Sequence, residues 1–323
     1  MTPAIKRSLK RAFSSTLVWP FVGRRLRPGL LVLAYHRVGP PDGPFRKVDV
    51  ASFRAQMAWL RRHCSIIGPD VLDEALDTPG ACGRISVLVT FDDGYRDYSE
   101  YAYPVLQSLD IPAVNFIATR YIDDGSMFWW DLVDLACQRT PLRRATVPWS
   151  VPPFDLGSAR GRMQLYRECQ RHLKRIPDDA REALVPALLA ALELDAGELT
   201  VARQVMTWDQ VRATAERTTY GGHLHTHPLV SRIDDSRLED ELRISQDRLV
   251  RELGRRTPVF AFPDGDITDP AKQALRRHGY EFAFGITGGF ARPGGDRMAI
   301  PRLPGPATVG DLAWRLARLS RTA

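Results

Sequence analysis

The run from Ile85 to Gly94, ISVLVTFDDG, restricts what this chain can fold into more than any other stretch. Ile85, Val87, Leu88 and Val89 form a branched apolar stretch closed by a glycine, the pattern of a parallel strand covered on both faces. Asp92 and Asp93 stand side by side where that strand ends. Two carboxylates so placed raise each other's pKa, and a nearby cation is the usual remedy. An exposed Asp-Asp-Gly turn is the competing reading.

The histidines bear on that choice. Three of the seven, His223, His225 and His227, fall at alternate positions just before Pro228. On an extended segment alternate side chains share a face, so all three can converge on one point. A histidine and carboxylate set with open positions is what a catalytic divalent metal needs. Imidazole favours zinc or its first-row neighbours over magnesium or calcium. Together the two clusters predict a metal site.

TFDDG, the later H-x-x-x-H-P segment and FAFPDG at 260–265 resemble the polysaccharide deacetylase family, the NodB-homology domains of carbohydrate esterase family 4. The resemblance runs over roughly residues 29–305. It implies that Asp92 is a general base and that Asp93, His223 and His227 hold the metal, zinc first, with cobalt, nickel or iron(II) as alternatives. It also implies an irregular (β/α)7 parallel barrel. The same reading makes 29–323 the barrel domain, preceded by a basic segment at 1–28.

The chemistry stands beside the resemblance. Amide hydrolysis near neutral pH needs an activated water, and a bound metal lowers the pKa of its water to about 7 in the best-studied zinc cases. Asp92 would take the proton. The backbone N–H of Tyr95 is placed to stabilise the oxyanion, and Gly94 lets main chain approach a ligand without a Cβ in the way. The leaving amine needs a proton in turn. His36, delivered with Tyr35 by the apolar strand in LLVLAYHRVGP, is the candidate acid. It resembles the early Tyr-His of the family branch that includes poly-N-acetylglucosamine deacetylases, and the competing role is a strand cap. Asp266 or Asp269 could orient it, or serve as turn residues, Asp269-Pro270 reading as a helix start. His278 reads as a helix end.

Three departures from the family pattern stand out. Leu224 occupies the position where a Ser or Thr commonly follows the first metal histidine, which removes a loop hydrogen bond but not a ligand. Phe262-Pro263-Asp264-Gly265 replaces aromatic-Pro-aromatic-Gly, so the substrate wall is altered. Arg302 could pair with Asp92, as an arginine does in many relatives, or form a surface salt bridge.

Strand and helix patterns alternate through the rest, with reactive residues at strand carboxyl ends, as in a parallel α/β barrel. Helices are expected at 51–62, 96–109, 208–217, 235–253 and 270–278, and strands at 113–118, 258–262 and 281–286. Residues 120–206 interrupt the alternation and predict a helical insertion. Its Phe128, Trp129 and Trp130 lie near the mouth or pack against the barrel. With 323 residues, 44% of them hydrophobic, the chain can bury a large core. Four scattered cysteines without a C-x-x-C pair predict free thiols in a reducing compartment.

Residues 1–27 hold seven basic side chains and no acid, and the remainder has 38 of each sign. The basic balance therefore belongs to this segment and not to a nucleic-acid groove. FSSTLVWPFV between its basic clusters is too short to span a bilayer. It suits an interfacial anchor on anionic lipid, or a mobile basic arm. The expectation is a cytoplasmic enzyme, peripheral at the inner membrane face. It would deacetylate amino sugars of a surface polysaccharide or its lipid-linked precursor. A deformylase of a lipid-linked formamido sugar is the rival enzyme, and a carbohydrate-binding module with a decayed site the rival of another class.

Overall fold

Apolar strands alternating with amphipathic helices wind into an irregular parallel barrel in the computed structural model, which describes residues 29–78, 84–195, 197, 199 and 201–322. The basic segment and Cys82 lie outside the described residues. In chain order come β1 (Leu30–Tyr35), α1 (Val50–His63), β2 (Ser65–Ile67), α2 (Leu72–Asp77) and β3 (Ser86–Asp92). A π-turn at Tyr98–Ala102 leads into α3 (Tyr103–Ser108), then β4 (Ala113–Ile117) and α4 (Thr119–Asp124). The next stretch carries α5 (Trp129–Arg139), the hairpin β5 (Arg144–Val147) and β6 (Ser150–Asp155), α6 (Ala159–Leu173) and α7 (Asp178–Ala191). The barrel resumes with α8 (Trp208–Thr214), β7 (Thr218–Gly222), α9 (Asp235–Leu253), β8 (Val259–Ala261) and α10 (Asp269–Arg277). It ends with β9 (Phe282–Phe284), β10 (Leu303–Pro304) and α11 (Val309–Thr322).

The strands pair in the order β10-β1-β3-β4-β7-β8-β9, all parallel, with β2 beside the start of β3. A parallel bridge between Phe284 and Ile300 draws the two ends of this order together. The period of two along each strand sorts side chains into two cores. Leu31, Leu33, Val87, Val89 and Phe91 face the covering helices. Leu30, Val32, Leu88, Val114, Phe116, Val259 and Phe284 fill the barrel. Asp92 shares the parity of Leu88, so the strand's own alternation aims it inward at the carboxyl end.

The insertion has a separate core, with Val133, Ala136 and Cys137 of α5 against Leu165, Cys169 and Leu173 of α6 and Leu188 of α7. Arg37, just after β1, ties it to the barrel. Its Nη2 donates to Asp131 of α5 at 2.6 Å, its Nη1 lies 3.5 Å from Asp97, and its guanidinium sits 3.5 Å from the centre of the Tyr95 ring. Cys64, Cys137 and Cys169 are free and buried. Among the described residues no helix is long and apolar enough to cross a membrane.

Candidate active site

His36, Asp92, Asp93, His223, His227 and the turn at 262–265 lie at or just beyond the carboxyl ends of β1, β3, β7 and β8, where a parallel barrel leaves its loops, and Arg302 comes just before β10. The β3 exit turns sharply. Asp93 has φ 74° and Gly94 φ 75°, and a Cβ on Gly94 would come within 2.9 Å of Ile117 and Ile122. Beyond β7, Leu224 and His227 also have positive φ, 64° and 60°. Non-glycine residues hold such conformations only where their surroundings enforce them.

That backbone decides which histidines meet. His223 Nε2 and His227 Nε2 lie 3.5 and 3.4 Å from Asp93 Oδ1, and the three ligating atoms fall within 4.8 Å of one another. His225 does not join them, contrary to the reading of an extended segment with three convergent rings. The left-handed turn at Leu224 ends the alternation, and His225 Nδ1 lies 2.9 Å from Thr119 Oγ1 instead. Leu224 is fully buried. Glu241 of α9 holds the loop where no Ser or Thr does. Its buried carboxylate accepts from the backbone N–H groups of His225 (2.8 Å) and Thr226 (2.7 Å) and from Thr226 Oγ1 (2.6 Å). Nothing in the sequence marks Glu241, because its partners on the loop lie fifteen and sixteen residues away.

The donor set fits a divalent cation. His223 Nδ1 lies 2.6 Å from the Ala261 carbonyl oxygen, so in the neutral ring that nitrogen carries the proton and Nε2 is left with a lone pair for a cation. Burial would push the Asp93 carboxyl up, yet hydrogen bonds from the His223 and His227 rings, when these are protonated and donate from Nε2, hold it well below the usual range. Burial lowers His223 in turn, but Asp93 and Asp92 raise it above the ordinary imidazole value. Burial pulls His227 below the ordinary imidazole value despite Asp93, which favours the neutral ligand form. Acceptors gathered this closely out of water need a positive charge between them.

Asp92 sits beside this cluster and is occupied differently. Arg302 donates through Nη1 to Oδ1 at 2.7 Å and through Nη2 to Oδ2 at 2.8 Å. Arg302 is fully buried, with Nε on the Gly285 carbonyl oxygen at 2.9 Å. It is therefore no surface salt bridge. Burial raises the Asp92 carboxyl, but Arg302, with His223 and His36, brings it below the ordinary value. His36 Nε2 lies 3.9 Å from Asp92 Oδ2 and its side chain is 56% exposed. The strand register leads to this placement, since Tyr35 pairs with Phe91. Asp266 is not its orienting acid. Its carboxylate accepts from the Ser231 N–H at 2.7 Å, and Asp269 pairs with Lys272 at the start of α10. His278 ends α10 and meets Glu239 at 2.6 Å.

These groups open into a cavity of about 310 Å3. Phe262, Asp264 and Gly265 line one side, while Pro263 is buried in the turn behind them. Trp129 and Trp130 of the insertion line the other. Phe128 is fully buried and stacks on Trp130 (ring centres 4.4 Å apart), which in turn lies 4.7 Å from the His227 ring. Trp130 Nε1 donates to Tyr95 Oη at 2.8 Å, so the Tyr95 side chain belongs to the insertion contact rather than to the cavity.

A parallel barrel with an Asp-His-His cluster beside an arginine-held aspartate defines the class. The chain belongs to the polysaccharide deacetylase family, whose sequence profile matches residues 80–148 and 173–283. It is 29% identical over 98 residues to the poly-beta-1,6-N-acetyl-D-glucosamine N-deacetylase of Escherichia coli (strain K12), 29% of this chain but 15% of that protein. It is 32% identical over 94 residues to the putative polysaccharide deacetylase YxkH of Bacillus subtilis (strain 168), 29% of this chain and 33% of that protein. The matched stretches thus span a third or less of these curated relatives. In fold it is similar to IcaB from Ammonifex degensii (TM-score 0.59, 20% identity, 90% of this chain and 98% of that one). It is similar also to the Streptococcus pyogenes deacetylase PplD in complex with acetate (TM-score 0.58, 16% identity, 90% and 99%).

Proposed function

We propose that this protein is a metal-dependent hydrolase that removes N-acetyl groups from amino sugars of a surface polysaccharide or its lipid-linked precursor. The observation that carries the reading is the Asp92 carboxylate, held by both nitrogens of a buried arginine beside Asp93, His223 and His227. A binding module would have no use for an ionised base next to a ligand cluster. The name of the Escherichia coli relative, a deacetylase of an N-acetylglucosamine polymer, supports the sugar class.

Asp93, His223 and His227 would hold the cation, most simply zinc given two imidazoles and one carboxylate. When bound, the cation supplies Lewis acidity, easing deprotonation of a water and polarising the amide carbonyl. Asp92 takes the proton from the attacking water, and Arg302 keeps its carboxylate ionised and aligned for that task. The Tyr95 N–H donates to the developing oxyanion. His36, at the cavity rim, returns a proton to the leaving amine from Nε2. Trp129 and Trp130 exclude water from one side.

Metal content and amine release from N-acetylglucosamine oligomers, as purified, after chelation, and after zinc or cobalt re-addition, test the reading. Release that disappears and returns with the metal supports it. Stoichiometric metal without release redirects it to formylated or lipid-linked sugars, and absence of metal binding refutes it. For residues 1–27 we propose an interfacial anchor on anionic lipid, which would place the enzyme at the cytoplasmic face of the inner membrane. Deleting them should abolish co-sedimentation with anionic liposomes, and unchanged co-sedimentation would sink that proposal.

A further inference from the structure

The cavity wall opposite the barrel loops is built by the insertion, and its chemistry is that of sugar recognition. Trp129 offers a ring, Gln170 an amide, and Lys174 and Arg181 cationic donors. Aromatic faces beside planar polar groups match the alternating apolar and hydroxyl-bearing surfaces of a pyranose. Arg181 carries the clearest mark. It is 4% exposed, it pairs with Asp178 through Nη2, and its guanidinium lies 5.3 Å from the Trp129 ring centre. Its Nε is buried and has no acceptor among the described residues. Buried donors in folded proteins are almost always satisfied, so an incompletely paired guanidinium in a side chain that lines the cavity points to an acceptor brought by a ligand.

A second observation concerns the rim. Lys174, at the end of α6, reaches the turn after β8 and lies 2.7 and 2.6 Å from the two carboxylate oxygens of Asp264. Both side chains are little more than a third exposed, unlike the buried groups below them. Asp264 is held at φ 56°, a strained position for an aspartate. The pair joins the insertion to the barrel across the edge of the cavity. A volume of about 310 Å3 stands at the low end of small-molecule sites. It has room for one acylated sugar ring.

We propose that the insertion wall is a subsite for a single terminal N-acyl amino sugar. The ring lies against Trp129, an oxygen of the sugar accepts from the Arg181 guanidinium, and the Lys174–Asp264 bridge stops the glycan from continuing past the pocket. The protein then acts at chain ends or on short, carrier-borne saccharides rather than within long chains. This deepens the proposed function and rests on it.

The test uses the full-length, zinc-loaded protein and N-acetylglucosamine oligomers from the monosaccharide to the hexasaccharide. Tandem mass spectrometry of end-labelled products locates each new amine. Amines confined to the terminal unit at every length are expected, and amines spread through the interior would overturn the subsite while leaving the deacetylase intact. Lys174→Ala and Asp264→Ala, at the exposed rim where folding is not at stake, should each raise interior products about tenfold, the loss of one charge-assisted contact. An unchanged product pattern in both would refute the barrier. Calorimetric binding of N-acetylglucosamine to the zinc-loaded Asp92→Asn protein gives a readout without turnover. Arg181→Gln should weaken that binding about tenfold with metal stoichiometry retained, and equal affinity would overturn the assignment of Arg181. Terminal-sugar binding without amine release from any oligomer would instead redirect the catalytic reading to formylated or lipid-linked sugars and support the subsite.

Discussion

Replacing Arg302 by Met exposes how the base is kept ionised. The guanidinium makes two charge-assisted bonds to Asp92, at 2.7 and 2.8 Å, with both side chains out of water. Removing one partner of a buried pair leaves an uncompensated charge and costs about 3–5 kcal/mol. At about 1.4 kcal/mol per unit, that is a rise of roughly two to four units in the Asp92 pKa. In the native protein the carboxyl is held below its ordinary value, so the variant's carboxylate should titrate well above its native position. The acidic limb of kcat/KM should therefore move up by about two units, with activity returning as the pH rises. Arg302→Lys should fall between, because an ammonium donates from a point and does not match both oxygens. Stability carries the same sign. A depressed aspartate stabilises the fold above its unfolded pKa and loses that contribution as the pH falls. The gap between native and Met protein in urea unfolding should thus be widest near neutrality and shrink on acidification. An acidic limb that does not move in Arg302→Met would refute the role given to the pair.

Asp92→Asn should lower kcat by about two to four orders of magnitude with metal content and unfolding midpoint retained, measured by amine release and metal analysis. Weaker metal binding would place Asp92 among the ligands instead. Glu241→Gln should loosen the loop between His223 and His227 and weaken zinc affinity by on the order of tenfold, read by competition with a chelator. An unchanged affinity would show that Leu224 packing alone holds the loop. Burial pushes Asp97 and Asp131 up to about 6 against the pull of Arg37. Their contribution to stability is fully present below the unfolded value of 3.8 and is lost as the pH rises through about 6. Asp131→Asn should flatten that part of the stability curve between pH 4 and 6.5, and identical pH slopes in urea titrations would contradict it.

Much of the barrel was legible because it rests on short-range periodicity. The inward aim of Asp92 follows from the parity of β3, and the pairing of His223 with His227 from their spacing beside Asp93. His36 falls beside Asp92 once β1 and β3 are laid in register. The convergence of His225 failed for a local reason invisible in composition, the left-handed backbone at Leu224. Asp266 failed because a turn residue's partner depends on which loop folds over it, here the one carrying Ser231.

By itself, then, the sequence determined a parallel α/β barrel and the two motifs of its carboxyl face, the Asp92-Asp93 pair and the histidines four apart, since each of those features needs only near neighbours in the chain. The tertiary structure decided everything that depends on distant segments meeting. Closing the barrel set Arg302 against Asp92, 210 residues apart. Packing α9 under the histidine loop put Glu241 on its backbone, and folding the insertion brought Arg181 and Lys174 to the cavity. Such contacts follow from how whole elements pack, and packing responds to shape and buried charge summed over the molecule, which no local pattern records.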